Sequence, residues 1–201
     1  EARDAHHAFG FRGVKDAVDP ATEVEFLEKK FVLSEDFSVN TSPNQDDLAG
    51  IGKWIRGAQK QSDWVMYGTH CHESGGGEFH GHSRVIPPDF LVDFAHWTID
   101  QGCALFAGHG PHLLRGIEIY NGRPIFYSLG NFIFQNESVL RLPDEAYRRF
   151  GLGYDQTPGD YLDTRSGGGT RAFAGNPAFW RSAVAVCNYN AGHLKEVEIH
   201  P

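Results

Sequence analysis

The chain holds only three cysteines in 201 residues, Cys71, Cys103 and Cys187, too few and too scattered for a disulfide framework. No internal repeat or extended low-complexity tract is present. No apolar run approaches the roughly 20 residues of a membrane-spanning helix. Positive charge is scarce as well. Eighteen Lys and Arg face 26 Asp and Glu for a formal net charge of -8, with no basic stripe, which argues against nucleic-acid binding. The deficit leaves room for a phosphorylated substrate, because a bound metal would supply local positive charge that the count misses. A hydrophobic content of 40% is ordinary for a globular protein, and a chain of this length is expected to form one domain over residues 1–201.

Along the chain, residues 23–30 (EVEFLEKK) read as a short helix and residues 30–33 as a strand. Ser42-Pro43-Asn44 opens a helix in which Leu48, Ile51, Ile55 and Ala58 recur at helical spacing to about Gln61. Three glycines inside it, Gly50, Gly52 and Gly57, mean that packing must hold it. Residues 64–69 read as a buried strand. Pro87-Pro88-Asp89 starts a second helix that stops at Gly102, and residues 103–107 (CALFA) form the next strand. Strand, helix and strand joined by short links imply a parallel pair. Residues 117–120 and 124–129 make a hairpin across Asn121-Gly122, a type I′ signal. After a break at Gly130-Asn131 the strand resumes over 132–134, and Phe126, Tyr127, Phe132 and Phe134 are expected in the core. Residues 136–177 carry little period and read as a loop-rich insertion. A last hairpin, 182–189 with 193–199, turns over Asn190-Ala191-Gly192.

The chemistry gathers at two strand ends. One apolar run empties into His70, Cys71, His72 and Glu73; the other empties into Gly108-His109-Gly110-Pro111-His112. Pro111 rules out a helical arrangement of the second pair, so a rigid loop must fan the rings apart. Parallel strands place both ends on the carboxyl edge of a sheet, where α/β folds bind ligands. His70, His109 and His112 are the candidate metal ligands. His72 shares the His70 face of an extended strand and is a candidate proton donor. Glu73 could orient an imidazole, Asn131 could aim its amide at a substrate oxygen, and Arg115 could clamp an anionic group. His80 and His82 lie in a Gly-rich loop and read as polar loop residues. Cys71 is expected to point away from the imidazoles, and Cys103 and Cys187 are expected to be buried thiols.

THCHE at 69–73, GHGPH at 108–112, IEIYNGRPIFYSLGNFIF at 117–134 and the closing EVEIHP resemble the CapA-type capsule or poly-γ-glutamate biosynthesis proteins, relatives of the calcineurin-like metallophosphoesterases. The resemblance covers roughly residues 63–201. It implies an α/β, metallophosphoesterase-like sandwich of mixed sheets flanked by helices, of which this chain would be the carboxyl-terminal portion. It also implies one or two divalent ions, Mn, Fe or Zn, at histidine ligands, and a role in surface-polymer synthesis. Two departures stand out. Where such proteins show His-Pro-His this chain has Gly110-Pro111-His112, and their Asp-bearing first strand, Asn-Leu-Glu element and Asn-His-x-x-Asp element have no counterpart here.

Three functions follow as expectations. The first is a metal-dependent phosphoesterase-type hydrolase acting on an anionic ester or polymer. The second is a metal-independent acid/base enzyme, of epimerase or amide-transfer type, on a peptide or polyglutamate. The third is a non-enzymatic subunit of a surface-polymer synthesis complex.

Overall fold

The computed structural model of the protein describes residues 22–26, 29–33, 35, 41–75 and 84–201. These fall into two units, divided between Val39 and Asn40. In the first, β1 (Glu23–Phe26) pairs antiparallel with β2 (Lys29–Val32), Glu23 opposite Val32. The helix expected over 23–30 is therefore a hairpin. Val24 and Phe26 alternate with glutamates at period two, a strand signal that outweighs the helix propensity of the glutamates and lysines.

The second unit begins with α1 (Gln45–Gln59), capped by the Asn44 side chain, which accepts from the backbone N–H of Asp46 and Asp47. Asp46 and Asp47 in its first turn complement the helix dipole. Packing does hold this helix: Ile55 is buried in the core, and Leu48 and Ile51 pack against it. Next come β3 (Met66–His70), α2 (Asp89–Asp100) and β4 (Leu105–His109). The hairpin of β5 (Ile117–Tyr120) and β6 (Arg123–Phe126) turns on Asn121 and Gly122, both at positive φ as a type I′ turn requires.

These strands form one sheet in the order β3-β4-β6-β5, with β3, β4 and β6 parallel and β5 antiparallel at the edge. Leu91, Phe94, Ala95 and Ile99 of α2 and Ile55 of α1 share a core with Phe106, Ile125 and Tyr127 from the sheet region. Leu91, Phe106 and Ile125 are essentially inaccessible, and burying each such side chain is worth about 1.5–3 kcal/mol. Cys103 is fully buried as expected, while Cys187 is half-buried.

Residues 131–135 do not resume a strand, and Phe132 is 78% exposed. The backbone turns at Gly130, which has φ 81 and lies so close to Arg181 O that a Cβ would meet it at 2.6 Å. The segment expected to be loop-rich instead carries α3 (Asp144–Arg149), α4 (Pro158–Ser166) and α5 (Ala172–Gly175). Helix α4 has a legible signal: a Thr157/Asp160 capping box, Pro158 in the first turn and Gly167 at φ 58 after its end. Strands β7 (Val184–Asn190) and β8 (His193–His200) close the chain as an antiparallel pair. This pair is tied to the region before β4 by the Tyr189 hydroxyl donating to Ala104 O at 2.7 Å.

Candidate functional site

Parallel pairing of β3 with β4 sets His70 directly opposite His109 at the last rung of the ladder. The chain then continues past both strand ends, and Cys71 N–H donates to His109 O at 2.8 Å. Gly110 makes this approach feasible. It sits at φ 121, and a Cβ there would lie 2.9 Å from Cys71 O. Two loops from distant parts of the sequence are thereby pressed together, each carrying imidazoles.

The rings form a chain. His70 Nδ1 lies 2.9 Å from His109 Nδ1, and His70 Nε2 lies 2.9 Å from His72 Nε2. The His72 ring stands 5.6 Å, centre to centre, from that of His112. Partial burial, and then the neighbouring His70, hold the pKa of His109 below the ordinary histidine value. His112 itself occupies the left-handed backbone region at φ 61. Its Nδ1 contacts Asn131 Oδ1 at 2.8 Å, and its ring meets Phe134 and Phe173 edge-on at 5.8 and 5.2 Å. The antiparallel bridge between Leu114 and Leu129 brings the segment ending in Asn131 alongside His112.

The expected residues thus divide. His70, His72, His109, His112 and Asn131 come together. Glu73 and Arg115 also make other contacts. Glu73 Oε2 accepts from Cys71 Sγ at 3.2 Å, and burial first and this bond second push the thiol pKa up to about 11. Cys71 therefore stays a thiol at neutral pH and points away from the imidazoles, as the strand alternation requires. Arg115, expected to clamp an anion, is buried. Its Nη2 donates to Glu73 O at 2.6 Å and its Nε to Arg84 O at 3.0 Å, so it joins the two ends of the segment between them. Nη1 is the one nitrogen left without a partner among the described residues. His80 and His82 lie outside the described residues. Phe173 was not anticipated at the site; nothing in its local pattern marks it, since α5 reaches His112 only through the tertiary fold.

The donor set can be tested against a divalent ion. An ion about 2.1 Å from both His70 Nδ1 and His109 Nδ1 would see them about 90° apart, the cis angle of an octahedral ion. His72, however, faces the opposite nitrogen of His70, so these three rings do not converge on one point. Among the described residues no three His, Cys, Asp or Glu side chains are grouped so as to hold a metal. The described residues alone do not complete a metal site.

Fold and site together define an α/β domain with an imidazole cluster at the carboxyl edge of its parallel strands. The chain matches the family described as bacterial capsule synthesis protein PGA_cap over residues 7–136, and it belongs to that family. The match reaches well before residue 63 and ends just past the YSLGNFIF segment. An uncharacterized protein of Sinorhizobium fredii is 33% identical over 178 residues, covering 83% of this chain and 36% of its own length. The PGA biosynthesis protein CapA of Bacillus subtilis is 37% identical over 98 residues, 49% of this chain and 23% of the relative. A Mycobacterium tuberculosis protein named "Probable polyglutamine synthesis accessory protein" is 44% identical over 98 residues, 48% of this chain and 24% of the relative. The chain spans about a third or less of the length of these relatives. No helix among the described residues is long and apolar enough to cross a membrane.

Proposed function

We propose that this chain carries an acid/base site acting on an anionic polymer of the capsule or polyglutamate type, within a surface-polymer synthesis complex. One observation carries the reading: His70 contacts a second imidazole at 2.9 Å through each of its two nitrogens. A neutral imidazole has one N–H and one lone pair. His70 must therefore donate to one neighbour and accept from the other. A proton arriving on one nitrogen of His70 releases the proton on the other, so His72 and His109 exchange a proton with no side chain moving. The lowered pKa of His109 keeps the end of this chain a neutral base. His72, standing next to His112, is the group that meets the substrate.

A second reading, a metallophosphoesterase-like sandwich with Mn, Fe or Zn acting as a hydrolase, is favoured by the spacing of the His70–His109 nitrogens. It needs donors beyond those of the described residues.

Chelation separates the two. The purified intact protein, stripped of metal and confirmed so by elemental analysis, is assayed on poly-γ-glutamate and on phosphomonoester and phosphodiester panels. Retained turnover on the polymer is expected. Turnover lost on stripping and restored by Mn, Fe or Zn would sink the acid/base reading in favour of the second. Unchanged polymer production when both His70 and His109 are replaced by Gln would instead make the protein a non-enzymatic assembly subunit.

A further inference from the structure

Asn131 stands close enough to the imidazoles to be taken for a group that touches substrate, but its hydrogen bonds point elsewhere. A carboxamide has two N–H donors and one acceptor oxygen, and its orientation follows from the partners around it. Asn131 Nδ2 gives its hydrogens to two main-chain oxygens, His112 O at 3.2 Å and Phe179 O at 3.0 Å. A carbonyl oxygen cannot donate, so the nitrogen must lie on that side and Oδ1 must face His112. Oδ1 in turn can only accept, and it lies 2.8 Å from His112 Nδ1. That nitrogen therefore carries a hydrogen.

We infer that Asn131 is a positioning residue that locks neutral His112 in its Nδ1–H tautomer and so presents the Nε2 lone pair to the site. The inference deepens the acid/base reading and rests on it for its use: a ring so held starts each cycle as a proton acceptor at Nε2, not as a donor. The lock has several independent supports. The two carbonyl bonds prevent the amide from flipping. The edge-on contacts of Phe134 and Phe173, themselves 4.5 Å apart, keep the His112 ring from rotating to exchange its nitrogens. The left-handed backbone at His112 turns its own carbonyl to the Asn131 amide, so one side chain holds both the ring and the strained residue that bears it. Nε2 meets no hydrogen-bond partner among the described residues, which leaves it to solvent or substrate.

Tautomers are read directly by nitrogen-15 chemical shifts and long-range proton–nitrogen couplings in the intact labelled protein, above the pH at which the rings protonate. The expected spectrum for His112 shows a protonated Nδ1 and a bare Nε2. Asn131→Leu, similar in volume and without an acceptor, is expected to lose that pattern. Asn131→Asp, which keeps an acceptor beside Nδ1, is expected to retain it, and guards against a Leu variant that fails to fold. A wild-type His112 protonated at Nε2, or an Asp variant that loses the Nδ1–H signature while folded, would overturn the assignment. The functional reading fails separately: the expected tautomer together with full turnover in His112→Gln would leave the lock standing and remove His112 from the chemistry.

Discussion

Histidine serves two regions of this domain in opposite ways. Between α2 and β5, His96 Nε2 sits 2.8 Å from Glu118 Oε1 and its ring stacks on Tyr120, centres 3.9 Å apart and 8° from parallel. Glu118 also accepts from the Tyr127 hydroxyl at 2.8 Å, and Asp100 accepts from Tyr120 and Asn121. Here an imidazole is matched to a carboxylate, and the cluster fastens a helix to a sheet. At the carboxyl edge of β3 and β4 the imidazoles meet one another and an uncharged amide. Burial and the neighbouring His70 hold His109 below the ordinary histidine pKa. The first arrangement spends a histidine on stability; the second is the one we propose to move a proton.

Breaking the second arrangement should have the largest effect. His70→Gln interrupts the ring chain at its centre, and a loss of about 10²–10⁴-fold in turnover on the polymer substrate is expected, the usual worth of general acid/base catalysis. Its stability in denaturant should move by no more than about 0.5 kcal/mol, as for an exposed substitution. A His70 variant that unfolds like a core mutant while keeping its turnover would erase the contrast between the two regions.

Glu118→Ala should do the reverse. It removes the shared acceptor of His96 and of the buried Tyr127 hydroxyl, and a loss of about 1–3 kcal/mol in denaturant unfolding is expected with turnover unchanged. The Tyr127 hydroxyl is held protonated by burial first and by its bond to Glu118 second, so this bond persists across the working pH range.

The smallest effect concerns acid. The folded-state pKa of His109 is lowered by burial and then by His70. Below the unfolded value of about 6.5 the unfolded chain binds more protons at this position, so stability rises with pH toward neutrality and falls as pH drops through that range. His109→Gln should flatten this part of the stability–pH curve, measured by unfolding between mildly acidic and neutral pH. An unchanged curve would show that His109 titrates alike in folded and unfolded chains.

How much could be read in advance depended on the range of the forces involved. The Asn44 cap, the Gly102 stop after α2 and the Asn121-Gly122 turn are signals confined to a few residues, and each marks what it was expected to mark. The strand-end histidines were legible for the same reason: a parallel pair must bring both ends to one edge. Of the hairpin at 23–32, the strand expected at 30–33 is present as β2, whereas the expected helix over 23–30 gives way to β1, whose period-two alternation is the stronger signal. Helix α4 falls in the segment expected to be loop-rich, although its Thr157/Asp160 capping box is a local signal.

By itself the order of residues determined which side chains would share the sheet edge, since alternation and strand direction are geometric consequences of the backbone. Tertiary structure alone decided what each of them faces. The contact of Asn131 with His112 spans 19 positions and depends on the Leu114–Leu129 bridge, the wedge of Phe173 depends on a helix with no local reason to approach, and the burial of Arg115 turns an expected anion clamp inward to two carbonyls. Hydrogen bonds act over a few ångströms in space and not along the chain, so their partners are settled only when the core has brought distant segments together.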